Sequence, residues 1–304
     1  MSLESCSRRK LLKAAFAVGL VPGLAFSETE TMLRRSIPGT DESLPVIGLG
    51  TYEVFDVAGS PDEIAARKEI IDMLIDRGGS VVDSSPMYNR SERIVGDILE
   101  SSGNRDKVFL ATKVWTNGKS SGEAQMQRSA DLLHADVIDL MQVHNLRDTA
   151  VHMATISDWR QQGRIRYSGI THYAAGAHRS LERAMRDYRP DFIQINYSLG
   201  EQQAAQRVLP LAKELGIAVL VNRPFMAGRL FSRVRGTELP DWSQPFAQSW
   251  GQFFLKFIVS HSAVTCAIPA TSKPQHMIDN LGAGFGELPD AATRERMAEF
   301  WESL

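Results

Sequence analysis

Residues 81–99 read VVDSSPMYNRSERIVGDIL: a short apolar run ending on Asp83, a turn rich in Ser and Pro, and Tyr88 in the loop beyond. A run this short and continuously apolar predicts a parallel strand buried on both faces, here over residues 80–84. The same pattern recurs in both directions, at residues 45–51, 108–114, 137–144, 165–171, 192–197, 218–223 and 264–269. Stretches with helical spacing separate these runs. Residues 64–77 carry Ile64, Ile71, Leu74 and Ile75 on one stripe, and residues 203–215 are a second case. Eight strands alternating with helices predict an α/β fold, the (β/α)8 TIM barrel. A doubly wound sheet would usually carry a G-x-G-x-x-G turn after its first strand, whereas Gly48-Leu49-Gly50-Thr51 leads into no such helix. Residues 226–245 are expected to form a long mobile loop or lid. Residues 291–303 are expected to form a C-terminal helix that packs Met297, Phe300 and Trp301 on the barrel.

A chain of 304 residues is long enough for one such barrel or for two ordinary domains. With 43% hydrophobic and 23% charged residues, its composition is that of a soluble globular protein. A formal net charge of −2 argues against nucleic acid or an anionic membrane surface as the main partner. Cys6 and Cys266 are the two cysteines, so loss of the N-terminal segment would leave one thiol and no internal disulfide.

The N-terminus reads as an address. Arg8, Arg9, Lys10 and Lys13 make a basic start, residues 14–26 are mostly apolar but too few to span a bilayer, and Ala25 and Ser27 suit a cleavage site. Residues 7–13, SRRKLLK, resemble the twin-arginine (Tat) export motif, with Leu11 where Phe is usual. The expectation is a signal peptide over residues 1–27 and a barrel domain over 28–304. The Tat machinery would then deliver a folded, cofactor-loaded protein to the periplasm, with no stable membrane association after processing. A basic N-terminus on a cytoplasmic enzyme is the plainer alternative.

In a barrel of this kind the C-terminal strand ends converge on one mouth, which holds the active site. Asp83, Lys113 and His144 stand at three such ends, 30 and 31 residues apart, about one βα unit each. Tyr88 leans over the same mouth from its loop. A tyrosine is a poor acid near neutrality, its pKa being about 10, and a neighbouring ammonium such as Lys113 lowers that value. Asp83 can hold Lys113, and His144 can donate a hydrogen bond to a carbonyl oxygen. Singly, Asp83 reads as a helix cap, Lys113 as a structural ion pair and His144 as a core hydrogen-bonder; together at one level they read as catalytic machinery. Tyr52, Phe55, Trp115, Asn145 and Met226 lie beside the strand ends and are candidate pocket residues.

These motifs resemble the aldo-keto reductase family. RRSIPGTDESLPVIGLGTY looks like its N-terminal hairpin and first strand, and VVDSSPMYNRSERIVGDIL like its second strand, tyrosine loop and helix. ATKV, DLMQVHN, YSGITHY, FIQINYS and IPATSKPQHMIDNL follow in the family's order. The resemblance implies Tyr88 as general acid, Lys113 and Asp83 tuning it, and His144 orienting a carbonyl.

A cofactor site is expected near the last strand. Thr271, Ser272 and Lys273 precede Pro274, a residue suited to the first turn of a helix whose free N–H groups and dipole attract anions. The resemblance makes this the site of the adenosine 2′-phosphate of NADPH, with NADH possible. Ala270 stands where many members carry Lys and His276 where many carry Arg. It also implies that Thr171, His172 and Gln194 receive the nicotinamide carboxamide, with His172 replacing the usual Asn. Asn222 replaces the aromatic residue that stacks on the ring, Arg223 is placed for the pyrophosphate, and Asn280 completes the cofactor set. These departures keep a second reading open: a nicotinamide-nucleotide-binding regulatory or sensing protein with little turnover. A metal-dependent hydrolase is disfavoured, since nothing completes a ligand set around Asp83 and His144 and Lys113 would repel the ion.

Overall fold

The computed structural model describes residues 31–304. The signal peptide expected over residues 1–27 lies outside the described residues. An antiparallel hairpin comes first, β1 (Arg34–Ser36) with β2 (Ser43–Pro45). Eight parallel strands follow: β3 (Leu49–Gly50), β4 (Val81–Asp83), β5 (Phe109–Val114), β6 (Ile138–His144), β7 (Ile165–His172), β8 (Phe192–Asn196), β9 (Ala218–Asn222) and β10 (Cys266–Ala267). They pair in chain order from β3 to β10. Parallel bridges Ile47↔Ala267 and Gly50↔Ala270 join the first strand to the last, closing the barrel. The seam rests on these single bridges, which is why its two strands are shorter than the apolar runs 45–51 and 264–269.

Helices α1 (Pro61–Asp76), α2 (Ser91–Ser102), α3 (Lys119–Leu132), α4 (Thr149–Gln161), α5 (His178–Tyr188) and α6 (Val208–Leu215) occupy the connections through β9. A short α7 (Arg229–Arg233), α8 (Trp250–Val259), α9 (Pro274–Gly282) and α10 (Ala291–Ser303) complete the chain. Helix α1 starts earlier than its apolar stripe suggests, because Ser60 and Glu63 cap it reciprocally. The helix expected over 203–215 is divided instead into a 3₁₀ turn, Gln203–Gln206, and α6. Pro210 has no N–H to donate, and a restart at Val208 puts it in the first turn, where none is needed. Residues 226–245 are likewise not one open loop, since they contain α7 and a 3₁₀ turn at Asp241–Ser243.

Alternation along the strands sorts side chains between two cores. Val81, Phe109, Leu140, Tyr167, Phe192, Leu220 and Cys266 fill the barrel interior, with Ile37 and Leu44 of the hairpin segment in the same cluster. Val82, Leu110, Met141, Ile193 and Val219 face outward into the helix layer. Two residues above the inward apolar positions stand Asp83, Gln142 and Gln194, and Lys113 and His144 follow at the same period. Gly169 makes room for this polar layer, since a Cβ there would lie 2.7 Å from Gln142 Cγ. The strand period therefore sets charged groups on a packed apolar floor at one end.

Candidate active site

Lys113 is fully buried and Asp83 nearly so. Lys113 Nζ donates to Asp83 Oδ2 at 2.7 Å and to the Ser84 carbonyl at 2.6 Å. The second carboxylate oxygen, Asp83 Oδ1, accepts from Gln142 Nε2 at 3.1 Å and Gln194 Nε2 at 2.8 Å. Both charges are thus paired, the ammonium held by acceptors and the carboxylate by donors, as a water-poor site demands. Gln142 was missed by the sequence reading, although a glutamine inside the apolar run DLMQVH, two residues before His144, is a visible signal.

Tyr88 sits above this pair, with Lys113 Nζ 5.0 Å from its ring centroid. Its loop is braced at both ends. Tyr88 N–H donates to the Ser85 carbonyl, and Ser91 N–H to the Tyr88 carbonyl. Glu92, in the first turn of α2, accepts from Thr112 Oγ1 of β5 at 2.5 Å. The net effect on the phenol differs from the sequence expectation. Burial raises the Tyr88 pKa above its ordinary value, and the opposing pull of Lys113 does not overcome it. Tyr88 is thereby kept as a neutral proton carrier next to a fixed cation.

His144 faces Tyr88 edge-on, with 6.3 Å between ring centroids. Burial first, then the charges of Lys113 and His172, push its pKa down to about 3. Ser85 Oγ lies 3.3 Å from His144 Nδ1, so a hydroxyl donating there leaves the ring proton on Nε2. Because the folded value lies below the ordinary 6.5, the unfolded chain binds more protons between these limits, and stability falls as pH drops from 6.5 toward about 3. His144→Asn should remove this component. Urea unfolding from about pH 7 to pH 5 should show the variant losing about 1–2 kcal/mol less than wild type; equal losses would contradict a neutral buried His144.

A cavity of about 1120 Å³ opens over these groups. Asp83, Tyr88 and His144 line its floor, and Tyr52, Trp115 and Asn145 stand beside them. Tyr52 packs against Tyr88 at 5.0 Å, and the Arg147 guanidinium lies 4.4 Å over Trp115. Phe55 and Met226, candidates from the sequence, do not line it. Phe55 is wholly buried, and Met226 packs close to Gly200.

Of the expected cofactor residues, Thr171, Gln194, Asn222, Arg223, Thr271, His276 and Asn280 line the cavity. His172, Ser272 and Lys273 do not. His172 Nδ1 accepts from Ala174 N–H at 3.1 Å, and its ring stacks on Tyr173. Lys273 is held through its backbone, which both donates to and accepts from Thr271 Oγ1. At the far end the N-terminus of α8 meets the middle of α9. Ser249, the N-cap of α8, donates to Asp279 Oδ2 at 2.7 Å, and Gln252 Nε2 donates to Asp279 Oδ1 at 3.0 Å. Ser249 and Asp279 carried no distinctive signal in the sequence, since their meeting depends on how two helices pack. Two buried acceptors at the cavity, Asn145 Oδ1 and Asn222 Oδ1, have no hydrogen-bond partner. Among the described residues no group of three or more His, Cys, Asp or Glu is placed to hold a metal ion. Nor is any described helix long and apolar enough to cross a membrane.

Residues 46–298 match the model of the aldo/keto reductase family. The chain is 30% identical over 220 residues to aldo-keto reductase YhdN of Bacillus subtilis, a match that covers 66% of this chain and 64% of that protein. It is 23% identical to the aldo-keto reductase yakc [NADP(+)] of Schizosaccharomyces pombe, across 84% of this chain and 88% of the other. The barrel superposes on an aldo/keto reductase from Klebsiella pneumoniae, solved with NADP and acetate, with a TM-score of 0.74 at 21% identity. That alignment covers 90% of this chain and 95% of the other. An aldo-keto reductase from Bacillus halodurans in its holo form gives 0.72 at 21% identity, over 88% and 96% of the two chains.

Proposed function

The chain belongs to the aldo/keto reductase family, and from that premise we propose that it is an NADPH-dependent oxidoreductase reducing aldehyde or ketone carbonyls, or oxidising the corresponding alcohols. The observation that carries this reading is the clamped Lys113 ammonium 5.0 Å from the Tyr88 ring, with His144 across from it. A carbonyl oxygen between Tyr88 and His144 receives a hydrogen bond from the neutral imidazole and a proton from the phenol. Lys113 stabilises the negative charge that Tyr88 acquires, and Asp83 keeps the ammonium from moving away. Gln142 and Gln194 hold Asp83. Tyr52 and Trp115 line the space above the reacting oxygen.

The residues present fit a nicotinamide dinucleotide. The cavity exceeds the 300–1,000 Å³ usual for one small ligand, leaving room for cofactor and substrate together. The unpartnered Asn222 Oδ1 calls for a ligand donor, and the α9 N-terminus with Thr271 and His276 suits an anionic group. When bound, the dinucleotide supplies the hydride. NADPH, rather than NADH, is favoured by the relative whose name carries NADP(+) and by the neighbour solved with NADP. Fluorescence titration of the protein with NADPH and NADH tests this directly: saturable, tighter binding of NADPH is expected, and no binding of either would remove the reading.

The export reading stands as a proposal for residues 1–27. In a host with the twin-arginine machinery, the wild-type chain should fractionate with the periplasm. Replacing both Arg8 and Arg9 by Lys should leave it in the cytoplasm; unchanged fractionation would refute the signal.

A further inference from the structure

The end of β9 holds an unsatisfied amide. Asn222 Nδ2 donates to Gln194 Oε1 at 3.4 Å, and Thr171 Oγ1 donates to the same oxygen at 3.3 Å. Both contacts are long, and Asn222 Oδ1 is buried without any donor. Thr171, Gln194 and Asn222 sit on consecutive strands β7, β8 and β9, and all three line the cavity. His172 is the neighbouring polar group in sequence, but it does not line the cavity; its Nδ1 accepts from Ala174 N–H and its ring stacks on Tyr173.

A primary carboxamide needs an acceptor for its N–H groups and a donor for its oxygen. This row supplies both, because Asn222 brings an acceptor with nothing to accept and Thr171 brings a hydroxyl donor. Resting on the dinucleotide reading above, we propose that Asn222 is a positioning residue for the nicotinamide carboxamide and takes over that work from His172. Rotation of the Asn222 amide about its last side-chain bond offers Oδ1 to the carboxamide N–H, while Thr171 Oγ1 donates to the carboxamide oxygen and Gln194 Oε1, whose own amide N–H groups are held by Asp83 and Gln142, is a second acceptor. An aromatic side chain at 222 would offer only a ring face. Here the orientation of the ring, and hence the face that delivers hydride, depends on a hydrogen bond.

The test compares NADPH with its 3-acetylpyridine analogue, in which a methyl group replaces the carboxamide NH₂. Dissociation constants are measured by calorimetry for wild type, Asn222→Leu and Asn222→Asp. Wild type should prefer NADPH by about 10-fold. Asn222→Leu should bind the two alike, and Asn222→Asp, which keeps an acceptor oxygen, should retain the preference. As a second readout, hydride transfer from dinucleotide deuterated on one face should be stereospecific in wild type and scrambled in Asn222→Leu. Equal weakening of both ligands by Asn222→Leu, or no preference in wild type, overturns the inference alone. A protein that binds neither ligand overturns it together with the cofactor reading.

Discussion

Tyr88→Phe should lower kcat for carbonyl reduction by about 10²–10⁴-fold while leaving NADPH affinity unchanged. The phenol hydroxyl is the proton donor of the proposed reaction, held beside the Lys113 ammonium at the cavity floor. Its loop is held by backbone hydrogen bonds at Ser85 and Ser91, and these survive the substitution. The lost function is therefore chemical. Because burial keeps the Tyr88 pKa above the ordinary range, wild-type reduction should hold its rate through neutral pH. His144, neutral down to about pH 3, should contribute no limb near 6.5. Full turnover by Tyr88→Phe would remove the phenol from the mechanism. Loss of NADPH binding would show that the residue builds the site instead of acting in it.

Lys113→Met should damage both stability and turnover, and a second substitution separates the two. Removing the ammonium leaves Asp83 as an unpaired buried carboxylate, at a cost of about 3–5 kcal/mol. Asp83→Asn in the same chain removes that charge and should recover part of the loss in urea unfolding. Activity should remain low in the double variant, because the phenolate on Tyr88 still lacks its cation. If the double variant regained turnover along with stability, Lys113 would be a structural ion-pair member only.

What the sequence disclosed follows from the period of the barrel. Short apolar runs marked all eight strands, and the 30-residue spacing put Asp83, Lys113 and His144 at neighbouring strand ends, although the register steps them by two residues per strand, with Asp83 opposite Ala111 and Lys113 opposite Gln142. Strand period 2 decides which residue of a pair faces inward, so Thr171 reaches the cavity and His172, its neighbour, does not. The absence of Lys273 from the cavity lining was less visible, since it goes with a local turn in which Thr271 Oγ1 bonds the Lys273 backbone. The latch of Ser249, Gln252 and Asp279 joins residues about 30 apart through helix packing that no local pattern encodes. The Tyr88 pKa was misjudged for a related reason. A charge partner can be read from sequence spacing, whereas the depth of burial that opposes it depends on every segment closing over the ring.

The most direct test mixes the purified full-length protein with NADPH and a panel of aldehydes, following dinucleotide fluorescence while the alcohol is quantified. One alcohol formed per NADPH oxidised, with neither change in Tyr88→Phe, is the predicted result. NADPH bound tightly yet never oxidised by any aldehyde of the panel would contradict it and leave a nucleotide-binding regulatory protein in the enzyme's place.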